Sequence, residues 1–196
     1  LERLGEHVHP AVNLLGPDHH GYIARTKAGV AALGYDPKRL TVLLVQQVNL
    51  VRGGAVVKMS KRAGELITLD DLLEEVGKDA ARFFFLMRAI STPLDFDLEL
   101  AKKQTSENPV FYIQYAHARC ASIFRKALEN KISFRPASAQ PEFLDLPEEK
   151  ELVKRLLEYP AVLARCTEDL EPHGLAFYTL DLARQFQAYY SAAKGD

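Results

Sequence analysis

Lys58, Ser60 and Lys61 stand in a four-residue run, Lys-Met-Ser-Lys, with Arg62 directly behind it. Two ammonium groups three positions apart, with a hydroxyl between them, can close over a polyphosphate and offset the charge that develops on a departing pyrophosphate. Gly64, just beyond, gives such a segment freedom to bend. A solvated basic turn has the same composition, because most short charge runs simply face water.

A second group precedes it. In Gly-Pro-Asp-His-His-Gly-Tyr, residues 16–22, Gly16 lets a backbone approach a ligand, Asp18 can accept hydrogen bonds from ribose hydroxyls, and His19 and His20 can stack or donate. The alternative is a polar loop in which Asp18 caps the following helix. His7 and His9 lie close in sequence, and their spacing permits a metal reading. Adjacent imidazoles often cannot face one ion, however, and no ordered carboxylate set accompanies them, so we expect no metal site.

The third group is aromatic. Phe111, Tyr112, Tyr115, His117 and Arg119 share one segment, enough to stack on bases and contact phosphate. A tyrosine-rich helix is also what a packed core uses. The positions outside the apolar stripe, Tyr112 and Arg119, are therefore the better candidates for contact.

The elements that would carry these groups change character along the chain. Up to about Leu69, short apolar runs alternate with glycine turns. Residues 11–15 read as a buried strand, residues 21–35 as a helix stopped by Gly34, and residues 40–51 as β-structure too long for one flat strand. Arg-Gly-Gly at 52–54 then turns the chain back on itself. Strand, loop, helix, strand is the pattern of a parallel α/β sheet, where ligands bind at loops after strand ends.

Beyond that point the period becomes helical. Thr68 is placed to cap one helix, residues 78–90 form a second, and a long helix starts near Asn108-Pro109. Its expected apolar stripe is Phe111, Tyr115, Ala118, Ala121, Phe124 and Leu128. A helix from about Pro147 carries Leu152, Leu156, Tyr159, Leu163, Cys166 and Leu170, with a kink expected at Pro160. The last helix carries Leu175, Tyr178, Leu182, Phe186 and Tyr189, and such helices together make a bundle. The proline-dotted stretch 133–147 reads as a surface loop.

Composition sets bounds. With 196 residues, 47% hydrophobic and 26% charged, the chain can bury real cores. A net charge of −1 argues against wholesale attraction to nucleic acid, so any such partner must use a local patch. No apolar run reaches membrane-spanning length and the first residues lack a signal-peptide pattern, which makes a cytoplasmic location the expectation, with no membrane partner. Cys120 and Cys166 sit in helical patterns without metal spacing, as buried free thiols would. The chain has no P-loop, dinucleotide fingerprint, GxSxG elbow or CxxC, so kinase and dehydrogenase readings have no support.

Taken together, the Lys58–Lys61 run and the Gly16–Tyr22 loop resemble the C-terminal half of a class I aminoacyl-tRNA synthetase active site. Residues 57–119 resemble the arginyl-tRNA synthetase version of it, and the likeness runs over nearly the whole chain. The resemblance implies an α/β plus all-α protein: residues 1–72 as the C-terminal part of a Rossmann-like catalytic domain, and residues 73–196 as a helical anticodon-binding bundle. It implies an arginine–tRNA ligase that joins arginine to ATP, releases pyrophosphate and passes the arginyl group to tRNA(Arg), with Mg²⁺ organising the ATP. Carried over by position, Lys58 and Lys61 would neutralise phosphates and Ser60 would hydrogen-bond them. The Met59 backbone would lie near adenine, and Gly16, Asp18 and His19 would line the pocket from the other side. Tyr112, His117 and Arg119 would be candidates for touching tRNA.

The HIGH signature of the class is absent, and the first residue is leucine. The expectation is therefore a piece of a longer enzyme, its bundle stopping early, that binds ATP weakly and does not aminoacylate alone. Two rivals come from other classes. A DHH-type phosphoesterase would hold manganese on Asp18 and His19 but needs further aspartate motifs, and a non-catalytic helical module would bind RNA or protein through residues after Leu69. A cysteine-specific synthetase shares the expected fold but would carry zinc ligands. The synthetase reading requires that the lysine run and the Asp-His turn converge on one nucleotide.

Overall fold

The computed structural model describes residues 11–57, 67–133, 135, 137 and 139–193. Strand β1 (Ala11–Leu15) and strand β2 (Leu40–Leu44) pair in parallel, Ala11 against Leu40 through Leu15 against Leu44. Helix α1 (Tyr22–Ala32) connects them, giving the expected strand–loop–helix–strand unit. Gly34 ends α1 with φ +84°, and the amides of Gly34 and Tyr35 donate back to Ala31 and Val30 at 3.0 and 3.2 Å, satisfying the last carbonyls.

Residues 40–52 form two strands, as their length required. The Val45 amide still donates to Leu15 at 2.8 Å, but the next amide, Gln46, donates to Ile90 at 2.8 Å and hands the chain to a second sheet. There β3 (Val48–Arg52) lies between β4 (Ala55–Val56), antiparallel, and β5 (Leu94–Asp97), parallel. Gly53 and Gly54 make the β3–β4 turn with φ of +58° and +80°, two consecutive positive values that glycine tolerates without steric cost.

Strand β5 is a feature the helical reading of this stretch passes over. Its four residues alternate, with Leu94 and Phe96 buried and Asp95 exposed, and Phe96 is among the largest fully buried side chains. Phe84 and Phe85 each lie 5.3 Å from its ring, centroid to centroid. Around it gather Leu50, Leu72, Ala80, Leu98, Ala101 and Val110, from β3, α2 (Leu69–Val76), α3 (Lys78–Leu86), α4 (Leu98–Lys102) and α5 (Pro109–Glu129). Thr68 caps α2 in a reciprocal capping box with Asp71. The expected division after residue 72 falls inside α2, and this cluster takes residues from both sides of it.

The helical half consists of α5, α6 (Pro147–Leu157), α7 (Tyr159–Asp169) and α8 (His173–Ala192). Helix α8 is central: it packs against α5, α6 and α7, and it buries Ala176, Tyr178, Leu180 and Ala183. The kink expected at Pro160 appears as a one-residue interruption at Glu158. Its torsions stay helical, and the Val162 amide still reaches the Glu158 carbonyl at 3.0 Å.

The expected stripe of α5 is corrected by the structure. Tyr115, Phe124 and Leu128 are exposed, whereas Val110 and Ala116 are buried and Ile113, Cys120 and Ala127 half-buried. Both sets repeat every three or four residues. The set with the smaller side chains faces inward, where helices approach closely. On α6 and α7, Leu156, Tyr159 and Leu163 are likewise exposed. No helix among the described residues is long and apolar enough to cross a membrane.

Candidate functional site

The loop after β1 is a short 3₁₀ turn, Pro17–His19, and its chain reversal is fixed by the His19 amide donating to Gly16 at 3.0 Å. A Cβ on Gly16 would come within 2.7 Å of the Asp18 carboxylate, so the absence of a side chain lets that carboxylate fold back over the turn. His19 Nδ1 lies 3.5 Å from Asp18 Oδ1, and its ring meets Tyr22 edge-on at 5.6 Å. The Arg25 guanidinium lies over the ring of the same tyrosine, 5.6 Å from its centroid. Asp18, His19 and His20 all face solvent. Asp18 does not cap α1, which starts after Gly21 with no side-chain cap, so the capping alternative is excluded.

Lys58, Met59, Ser60 and Lys61 lie outside the described residues, but both flanks of residues 58–66 are fixed. The Val57 amide donates to Leu50 at 2.8 Å, and Val57 and Ile67 both pack against the buried cluster. Thr68 closes the far flank through its box with Asp71, whose carboxyl the Thr68 hydroxyl and amide hold below the usual carboxylate range.

A polar network ties the β3–β4 turn to the helices. Arg52, at the β3–β4 turn, pairs with Glu75 of α2 at 2.6 Å; Lys102 of α4 pairs with Glu75 at 2.9 Å and with Glu99 at 3.1 Å. The Lys102 hydrogen bond, with the Arg52 charge behind it, lowers the Glu75 pKa, and the same bond raises that of Lys102.

On the helical half, Tyr112, Tyr115 and Arg119 line one cavity of about 320 Å³ with Ser106, Phe111, Gln187 and Ser191. The Arg119 guanidinium is held between the Tyr115 and Tyr190 rings, 4.6 Å from each centroid. It donates to Gln187 at 2.8 Å and to the Tyr115 hydroxyl at 2.6 Å. Arg119 therefore joins α5 to α8 while presenting a cation at the cavity wall. His117, two positions away on the helix, is exposed and does not line this cavity.

The sequence places Tyr115 in this aromatic group but gives no local sign of Gln187 or Tyr190. Tyr115 also falls on the expected stripe, and Gln187 and Tyr190, three apart on the last helix, share only a spacing. Among the described residues, no group of three or more His, Cys, Asp or Glu is placed to hold a metal ion. A manganese site on Asp18 and His19 therefore lacks further ligands among the described residues.

Residues 113–194 match the model of the DALR anticodon-binding domain. The chain is 52% identical over 186 residues to the arginine–tRNA ligase of Heliobacterium modesticaldum, covering 92% of this chain and 33% of that one. A crystal structure from Campylobacter jejuni, described as an arginyl-tRNA synthetase, superposes with a TM-score of 0.84 at 34% identity over 97% of this chain and 41% of that one. The Thermus thermophilus arginyl-tRNA synthetase follows at 0.73 and 25% identity, over 91% of this chain and 32% of that one. The chain thus spans about a third of the length of the curated relatives it matches, which have 33% and 32% covered in the first two.

Proposed function

This chain belongs to the arginyl-tRNA synthetase family, and from that premise we propose that it supplies the pyrophosphate-binding lysines and a tRNA-binding surface of an arginine–tRNA ligase. In this reading Lys58 and Lys61 carry the charge that neutralises the ATP phosphates as the carboxylate of arginine attacks and pyrophosphate departs. Ser60 hydrogen-bonds the same phosphates, and the Met59 backbone lies beside adenine. Gly16, Asp18 and His19 bound the nucleotide from the loop after β1. Mg²⁺, where bound, would organise the ATP phosphates that the lysines neutralise.

The tRNA partner meets the helical half. The observation that carries this part is the Arg119 cation between Tyr115 and Tyr190, beside Tyr112, largely inside the stretch that matches an anticodon-binding domain. Aromatic faces next to a guanidinium stack bases and approach phosphate. Lys126, exposed and seven residues beyond Arg119 on the same side of α5, extends its cationic face, so a chain of net charge −1 can still bind RNA locally.

The test replaces the matching third of the Heliobacterium modesticaldum enzyme with this chain and measures arginylation of tRNA(Arg). We expect charging, and we expect Lys58→Ala and Lys61→Ala each to slow it by about two orders of magnitude, the scale of losing one transition-state contact. A chimera that folds and charges as well with both lysines removed would end the pyrophosphate assignment. Tyr112→Ala should instead raise the KM for tRNA with little change in ATP dependence.

A further inference from the structure

Helix α5 is embedded at one end and free to serve at the other. Pro109 and Val110 are buried, Val110 within the cluster around Phe96, while the rest of this 21-residue helix, about 31 Å long, runs out to pack on α8. The direction in which it leaves the sheet half sets where Tyr112, Tyr115 and Arg119 stand.

One side chain bridges the two helices at that departure. Asn108 is a buried polar residue, with 4% of its surface exposed, and its amide group is used in full. Its Nδ2 donates to the carbonyls of Ala101 at 3.0 Å and Lys103 at 2.8 Å, the carbonyls that end α4. Its Oδ1 accepts from the Val110 amide at 3.0 Å and caps α5. Its own amide donates to Thr105 at 3.1 Å, and its carbonyl accepts from Tyr112 at 3.0 Å. The residue is thus bonded at once to the end of one helix and the start of the next.

Packing does not duplicate this bond set on one flank. A cleft of about 710 Å³, lined by Gly77, Lys78, Lys102, Lys103, Asn108 and Gln114 among others, undercuts the α4–α5 junction. On that flank the directional hydrogen bonds of Asn108, with Gln114 donating to Asp79 at 3.2 Å, act beside the packing of Ala101 and Val110 in the buried cluster.

We propose that Asn108 is a positioning residue: by tying the end of α4 to the cap of α5 it sets the orientation of the RNA-facing helix relative to the sheet half. The inference rests on the tRNA-binding reading above for its functional consequence, and on geometry alone for its structural one. Serine at this position keeps an oxygen for the α5 cap but is too short to reach both α4 carbonyls. Asn108→Ser therefore breaks the tie and spares the cap.

The experiment compares wild type, Asn108→Ser and Leu50→Ala, a change in the same buried cluster that leaves the Asn108 hydrogen bonds in place, at a temperature well below every unfolding midpoint. Affinity for tRNA(Arg) is read by fluorescence anisotropy at fixed salt, and the spread of molecular dimensions by small-angle scattering. Asn108→Ser should weaken binding by about fivefold and broaden the scattering distribution, while Leu50→Ala lowers the midpoint without either effect. In a Tyr112→Ala background, Asn108→Ser should cost much less than it does alone, because both changes remove one contact. If Asn108→Ser only lowers the midpoint, as Leu50→Ala does, and leaves affinity and scattering unchanged, the residue is structural and the proposal is overturned. If the wild type binds no tRNA, the functional reading fails while the scattering comparison still decides the role of Asn108.

Discussion

The sheet half and the helical half bury their apolar residues differently. Around β3 and β5 one cluster closes completely, with Phe96 and Leu98 fully inaccessible and two phenylalanines leaning on the first. Around α8 the buried residues are mainly alanines with Tyr178 and Leu180, while Phe124, Leu128, Leu156 and Leu157 stay exposed on the neighbouring helices. The difference teaches that the sheet half fixes geometry by packing. The helical half fixes it by specific polar ties, of which Arg119 to Gln187 and the Tyr178 hydroxyl to the Arg155 carbonyl, at 2.8 and 2.9 Å, are two.

The sharpest way to break that contrast is to empty the packed side. Phe96→Ala should cost about 3–5 kcal/mol, read from the midpoint of denaturant unfolding, because it removes a buried ring and leaves a cavity that rigid neighbours cannot fill. Loss below about 1 kcal/mol would show that the sheet half is as loosely filled as the bundle. On the other side, Tyr178→Phe should cost about 1 kcal/mol, since it deletes one hydrogen bond to the Arg155 carbonyl and keeps the ring.

Acid sharpens the comparison through Glu75. Its pKa is lowered from an ordinary 4.5 by Lys102 and Arg52, so the folded state holds the proton less tightly than the unfolded state does. The stability this contributes is complete above 4.5 and is lost as pH falls through the lower folded value. Asp71, held down by Thr68, acts in the same direction. Unfolding monitored between neutral pH and the acid range should therefore show a loss of stability that Glu75→Gln reduces. An unchanged acid limb in that variant would remove the network from the account.

The smallest effect expected is a gain. Lys131 follows α5 with φ +57°, and its amide and that of Ile132 donate back to Leu128 and Ala127 at 3.0 and 2.8 Å. Lys131→Gly should relieve a left-handed conformation, offset in part by the freedom glycine gives the unfolded chain, and raise stability by about 0.5 kcal/mol, visible as a small upward shift in midpoint.

Sequence carried much of this and missed specific parts. Gly34, the Arg-Gly-Gly turn, Thr68 and Asn108-Pro109 were legible because each is a local signal whose physics is complete within a few residues. Strand β5 escaped because its alternation covers only four residues among helical segments, and its partner, β3, lies more than forty residues earlier in the chain. The α5 stripe was misplaced because two apolar sets share the helical repeat, and only the contact with α8 chooses between them. The Arg119 cluster was half legible. Tyr112 and Arg119 stood out on one helix, while Gln187 and Tyr190 reach it from another that no local pattern links to it.

The most direct test of the account is the affinity of this chain for tRNA(Arg) against a non-cognate tRNA of equal length, titrated at several salt concentrations. We expect tRNA(Arg) to bind about tenfold more tightly, with the preference lost in Tyr112→Ala and the salt slope nearly unchanged, since stacking rather than phosphate contact would carry the discrimination. Equal affinities at every salt, with no response to Tyr112→Ala, would contradict it.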